Sequence, residues 1–469
     1  MPRRQKTSPT KRRGHERPPS AAAGAVSPRA RDDAAIPIHR VMVLGAGADV
    51  AYGVPTVAQL MGEMAIFAKG DGLPIDKALR KKLPHLMFTF DRYAAGQKET
   101  LIAQLFTESE EMIPVLSGMA EKLKQDTDSA ALGEIIEQLC SMAAHNRLQG
   151  STLEALVRLA GSTEQVGDAE PLIDPSKISL THTPATALRA AFQQALFRGH
   201  EFTEAERRAL ELFIVSTSNV EELLSIYFTL YCVGKPSDRK TYLYLAWMLW
   251  SFLRLRSVGR APRDSVYARL PLLGGDVITF NYTNFFVGPM AKNVKFFHGQ
   301  LDRYLRVDDR TTVSDSAALR ATSSVESVAA FISGLRLDVS DVPRIDMPAI
   351  VPPIGFKPVM SREQLRTWAA ADELLQRADQ IIVVGYSFAT ADEHFNDLLR
   401  KSNTSARVVV VNPNLGPALI EAARVLGVDS ASLVDRHHGE FEVRASRRLT
   451  GVNARGEDLD AALLEDLMR

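Results

Sequence analysis

Cysteine is scarce in this 469-residue chain: Cys140 and Cys232 are the only two. So low a count excludes a disulfide scaffold. Both sit in apolar helical patterns, Glu137 to Met142 and Ile226 to Val233, which reads as two buried small hydrophobes in a reducing cytoplasm. Net charge is missing too. Lysine plus arginine number 56 and aspartate plus glutamate 56, so the whole molecule carries no strong field toward nucleic acid or membrane. No uncharged run is long enough to span a bilayer, and the N-terminal stretch lacks the apolar core of a secretory signal. The expected setting is cytoplasmic, with no membrane contact.

The charge balance is not local. Residues 1–36 are rich in Pro, Ser and Arg, with Glu16 the one acid among the first 31, and they show no apolar periodicity. They read as a disordered basic tail, suited at most to a weak nucleic-acid contact or another acidic surface. Order is expected from Ile36, with a strand to Leu44 and a helix from about Thr56 to Lys69. Residues 71–270 then carry apolar positions at three- and four-residue spacing, as in "LGEIIEQLCSMAAHNRL" and "NVEELLSIYFTLYCVG", with loops at 161–177 and at "KPSDRK", 235–240. This helical block carries no chemical signature. It is compatible with a partner-docking face, a homo-oligomer face or simple packing.

Strand chemistry returns at "DVITFNYTNFF", "NVKFFHG" and "AIVPP", and then in two strand-to-helix units, "QIIVVGYS" into "TADEHFNDLLRK" and "ARVVVVNPN" into "GPALIEAARVLG". Buried strands alternating with helices predict an α/β fold, a doubly wound, parallel, Rossmann-like sheet. The first strand must then pair with strands more than two hundred residues later. The sheet domain is therefore expected to be discontinuous, 37–70 with 271–440, around an inserted helical domain at 71–270 and followed by a tail or helix at 441–469.

In such a sheet ligands bind at the carboxyl ends of the strands. Here those ends read Gly45-Ala46-Gly47, Thr279-Phe280-Asn281, His298-Gly299, Pro352-Pro353, Gly385-Tyr386-Ser387 and Asn412-Pro413-Asn414. The first is not the dinucleotide fingerprint, because the third glycine position holds Val50 and no acidic strand end follows about twenty residues on. A glycine loop before a helix suits a phosphate all the same. Asn281 offers both donor and acceptor, for a water and a ribose hydroxyl, and His298 has the intrinsic pKa of a base at neutral pH. Ser387 is also a natural helix cap, and Asn412 ordinary turn chemistry.

These six motifs, in this order, resemble the sirtuin (silent information regulator) superfamily, most closely its bacterial sirtuin-like branch. That order is a Gly-Ala-Gly-x-Ser loop with a following Gly-Ile/Val-Pro, then Thr-Gln-Asn-x-Asp, His-Gly, an Arg-Pro strand end, a Gly-Thr/Tyr-Ser turn and an Ile/Val-Asn turn. The resemblance implies an NAD site with Asn281 and His298 catalytic. It implies cofactor contacts from Gly45, Ala46, Gly47, Asp49, Pro55, Thr279, Thr283, Gly385, Ser387 and Asn412. Two positions depart: Asp49 stands for the loop serine, and Thr283 for the aspartate. Residues 300–350 hold neither cysteine nor histidine, so the zinc module of the protein deacylases has no ligands there and no metal is expected.

The implied activity is NAD hydrolysis to nicotinamide and ADP-ribose, with NAD as substrate and no zinc. The same branch commonly supplies toxic effectors of anti-phage systems, and with them a defence-system partner protein. Asp49 and Thr283 favour a sensor that binds NAD or ADP-ribose without turnover, and an NAD-dependent protein deacylase is a further alternative. A remote one is a serine hydrolase, with Ser387 in a Gly-x-Ser-x-Ala elbow and Asp435 with His437 or His438 following.

Overall fold

The computed structural model of the chain describes residues 38–90 except 87, 112–125, 220–258 except 234 and 235, and 275–459 with short gaps, together with isolated residues between and beyond. The basic tail and the expected loop at 161–177 lie outside the described residues. After β1 (Arg40–Leu44) come a 3-10 segment (Ala46–Tyr52), α1 (Val57–Lys69), α2 (Leu73–Lys82), α3 (Met112–Lys124), α4 (Val220–Val233) and α5 (Pro236–Ser257). Next follow β2 (Asp276–Thr279), β3 (Val294–Phe296), β4 (Gly299–Arg306), β5 (Thr311–Ser314), α6 (Ala317–Arg320), α7 (Val325–Gly334), β6 (Leu337–Asp338) and β7 (Arg344–Ile350). Last are α8 (Arg362–Arg377), β8 (Gln380–Val384), α9 (Glu393–Arg400), β9 (Arg407–Val411), α10 (Leu415–Leu426), β10 (Val434–His438), β11 (Phe441–Ala445) and β12 (Leu449–Val452).

One sheet of eight strands carries the fold, in the order β10-β11-β12-β9-β8-β1-β2-β3. From β12 to β3 every neighbouring pair is parallel; β10 and β11 close the far edge antiparallel. The apolar run of β1 needs cover on both faces, because successive side chains point to opposite sides. Val41 and Val43 enter one core with Ile278, Ile381 and Val383, packed beneath α8, α9 and α10. Met42 and Leu44 enter the other, with α1, α4 and α5. In α5 the run Tyr242–Leu253 is buried on all sides, as expected of a central helix. Its Trp247 and Trp250 indoles donate to the Asp346 and Leu301 carbonyls, tying it to a second sheet.

That second sheet, β5-β4-β7-β6, is antiparallel throughout. The "AIVPP" strand belongs to it and not to the parallel sheet, which corrects the expectation of a single rim. Other corrections follow from local chemistry. The stretch expected as a loop at 235–240 opens α5, with Pro236 at its first position, where a missing N–H costs nothing. The expected C-terminal tail contributes β11 and β12 to the main sheet, Leu449 to Val452 pairing with Val408 to Val411. Cys140 is buried as read, whereas Cys232 is exposed. The helix expected from about Thr56 starts at Val57, where Thr56 and Gln59 form a capping box. No described helix is long and apolar enough to cross a membrane.

Candidate functional site

The chain leaves β1 for β2 and β3 on one side and returns to β8 and β9 on the other, so the strand order reverses between β1 and β8. Outside the carboxyl ends of strands at such a switch point lies the crevice where α/β sheets take ligands. A cavity of about 210 Å3 opens there. Ala46, Asp49 and Pro55 line it from the β1 side, Asn281 and Thr283 from the end of β2, His298 from the end of β3, and Gly385 and Ser387 from the end of β8. Gly45, Gly47, Thr279 and Asn412 are not among its lining residues.

The glycines serve the backbone. A Cβ on Gly45 would sit 2.5 Å from the Gly385 carbonyl oxygen, and one on Gly47 would sit 2.8 Å from Gly385 Cα. Gly385 has φ +63°, and a Cβ there would lie 2.6 Å from the Ala48 nitrogen. The loops after β1 and β8 thus cross backbone on backbone. The Gly45 N–H donates to the Val384 carbonyl, Gly47 to Gly385 and Ala48 to Gly45, so these donors are already spent. Of this loop Ala46 and Asp49 face the cavity, and it leads into a 3-10 segment and not directly into an α-helix.

Asp49 is the hub. It is 2 % exposed and accepts hydrogen bonds from the Tyr267 hydroxyl, the Thr283 hydroxyl and the Asn281 amide. Burial pushes its carboxyl up from 3.8 to about 7, against the pull of these three donors. The Asn281 amide also donates to the Gly45 carbonyl at 2.9 Å, its backbone N–H donates to Thr279 Oγ1, and Tyr267 Oη lies 3.1 Å from its Nδ2. Its two amide hydrogens are thus committed inside the protein. What Asn281 can offer a ligand is its Oδ1 acceptor, a narrower role than donor and acceptor together. Thr279 lies behind the wall but holds the asparagine in place.

The two departures from the resemblance meet here. The Asp49 carboxyl group and the Thr283 hydroxyl are hydrogen-bonded to each other.

His298 is 6 % exposed and packs edge-on to Phe280, with ring centroids 4.9 Å apart. Phe280 stacks in turn on Tyr386 at 4.5 Å. His298 Nε2 lies 3.1 Å from Asp392 Oδ1 but off the line of a hydrogen bond. Burial, aided by Lys357, pulls the His298 pKa below 6.5, while Asp392 pulls the other way.

Sequence reasoning missed Lys357 and Asp392, which also line the cavity, and Tyr267, which anchors Asp49. Their signal was positional: Lys357 follows the Pro-Pro strand end, and Asp392 follows the Gly-Tyr-Ser turn. That turn is strained, with Phe388 at φ +55°, and Asn396 of α9 clamps it by donating to the Phe388 and Ala389 carbonyls and accepting from the Tyr386 hydroxyl. Ser387 lines the cavity. Asn412 instead closes its own turn, accepting from the Asn414 N–H at 2.9 Å. Asp435 and His437 lie exposed on β10, four strands from β8, with Asp435 paired to Arg444. No serine-hydrolase triad forms from them.

A second cavity, about 280 Å3, runs along β3, β4, β7 and α8 and contains none of the residues expected at the site. Among the described residues no cluster of three His, Cys, Asp or Glu could hold a metal ion.

No family model and no curated protein matches the sequence. Among solved structures, one described as giving the structural basis for the mechanism and regulation of Sir2 enzymes is 18 % identical, covering 47 % of this chain and 74 % of its own, with a TM-score of 0.29. A Sir2 homologue mutant in complex with 2'-O-acetyl-ADP-ribose is 16 % identical over 49 % of this chain and 76 % of its own, TM-score 0.32. A Sir2 homologue in complex with NAD is 17 % identical over 46 % and 80 %, TM-score 0.30. All three are Sir2-type structures.

Proposed function

We propose that the protein binds NAD in the cavity at the switch point and hydrolyses it to nicotinamide and ADP-ribose. The observation that carries this is the convergence of Asn281, His298, Asp49 and Ser387, from the ends of three strands and the loop after a fourth, on one cavity. Cleaving the nicotinamide–ribose bond builds positive charge on the sugar while the pyridinium leaves as neutral nicotinamide. The protein therefore needs little acid catalysis. It needs a held ribose and a group that takes the proton of the attacking water.

Asn281 Oδ1 would accept a ribose or water hydrogen, its amide locked by Gly45 and Asp49. His298, neutral near pH 7, would take the water proton as the new carbon–oxygen bond forms and the carbon–nitrogen bond breaks. Ser387 would contact the cofactor in ground and transition states alike. NAD depletion is the action expected of an anti-phage effector, the role the resemblance implies.

The test is incubation of purified protein with NAD and chromatography for nicotinamide and ADP-ribose. Time-dependent release of both without any peptide supports hydrolysis. Release only with an acylated peptide would make the protein a deacylase, and saturable binding with no release a sensor.

A further inference from the structure

We propose that Asp392 and Lys357 are positioning residues that act on His298 from opposite sides, Lys357 keeping the imidazole neutral at rest and Asp392 stabilising the imidazolium once it has taken a proton. This rests on reading His298 as the base of the site. The three side chains reach one point from separate stretches of chain: the end of β3, the loop between β7 and α8, and the turn before α9. Asp392 Oδ1 is shared, 3.1 Å from His298 Nε2 and 3.3 Å from Lys357 Nζ. The side chains are 7 %, 14 % and 2 % exposed for His298, Asp392 and Lys357.

A buried lysine is costly unless paired, and the carboxylate beside it is held ionised by its charge. Burial raises the Asp392 carboxyl, yet His298 and then Lys357 bring it below the ordinary range. Such a group has no packing advantage over apolar side chains of the same size. Its place on the cavity wall is the reason to assign it chemistry.

The ring geometry agrees. Nε2 has no hydrogen-bond partner among the described residues and lies 3.1 Å from Asp392 Oδ1, so it is the ring nitrogen placed to exchange a proton beside that carboxylate. When Nε2 gains a proton, Asp392 is the carboxylate beside it. The formal charges that act on the imidazole are those of Asp392 and Lys357. The other titratable groups packed around it, the phenols of Tyr282 and Tyr386, are pushed well above 10 by burial and stay neutral; Glu393, which faces Tyr386, is paired with Arg400.

The test is a histidine-labelled NMR titration of the full chain, with the His298 signal among the ten histidines identified by its loss in His298→Gln. Lys357→Met should raise the His298 midpoint and Asp392→Asn should lower it, each by about half a unit or more. Lys357→Arg, which keeps the charge, should hold it near wild type. Because an unpaired buried charge is destabilising, the double variant Lys357→Met/Asp392→Asn is titrated too and should fall between the single variants. Shifts in the same direction, or an unmoved midpoint in the double and single variants, overturn the proposal.

The acid limb of the kcat profile for NAD cleavage should follow these midpoints in the same order. Opposed NMR shifts in a protein that never cleaves NAD would sustain the triad and remove the hydrolase reading. Cleavage with unmoved midpoints would do the reverse.

Discussion

Asp49 should make the protein less stable as the pH rises through neutrality. The folded state holds this carboxyl protonated up to about 7, whereas the unfolded chain releases the proton near 3.8. Between those values the native state binds more protons than the unfolded state, so the unfolding free energy falls with pH across that window and is flat above it. Each unit is worth about 1.4 kcal/mol. Integrated from about pH 5 to about pH 8, the group's contribution falls by about 2 to 3 kcal/mol.

Asp49→Asn keeps the shape, accepts from Tyr267 and Asn281 through its oxygen, offers its amide to Thr283 Oγ1, and cannot ionise. Urea unfolding of wild type and variant at several pH values isolates the effect, because all other titrations cancel in the difference. The variant should gain about 2 to 3 kcal/mol relative to wild type between the two extremes. Parallel stability curves would refute the burial of an ionisable acid at this position.

His298→Ala should lower NAD turnover by roughly a hundred- to ten-thousandfold in a protein that still folds, with Asn281→Ala comparably severe; full activity in a folded His298→Ala protein would end the mechanism. Ser387→Ala should raise KM more than it lowers kcat, as measured by initial rates across NAD concentrations. Gly385→Ala should cost about 2 to 5 kcal/mol in unfolding experiments, from a left-handed alanine plus a Cβ forced against the Ala48 nitrogen. Deleting residues 1–36 should leave nicotinamide release from NAD intact in a soluble product while weakening at most a nucleic-acid or partner contact, and lost turnover would count against a dispensable tail.

What could be read in the sequence was set by how completely each element is buried. β1, β8 and β9 are covered on both faces, so they appear as unbroken apolar runs and announce a parallel sheet. β4 hid itself. Its buried Leu301 and Leu305 stand four apart with no buried residue between them, and its register with β7 shifts between Gly299 and Tyr304. Four-residue spacing imitates a helix, and the second sheet was not foreseen. Strand ends carrying polar residues pointed to the cavity that Asn281 and His298 line. Lys357 and Asp392 could not be found this way. A single lysine or aspartate in a loop looks solvated, and its burial exists only where three distant segments close on one another.

The glycines and the two odd positions carry the same lesson from opposite ends. Gly45 and Gly47 looked like space left for a ligand, but the space is filled by the backbone at Gly385, whose left-handed conformation is demanded by the crossing of two loops. Asp49 and Thr283, taken one at a time, looked like damage to a site. Taken together they are one acid and one hydroxyl joined across the same gap, with Tyr267 adding a donor and Asn281 held by the result. A local pattern records which residue stands at each position. The chemistry depends on which residues face each other, and here the Thr283 hydroxyl and the Asn281 amide meet on the one Asp49 carboxyl group.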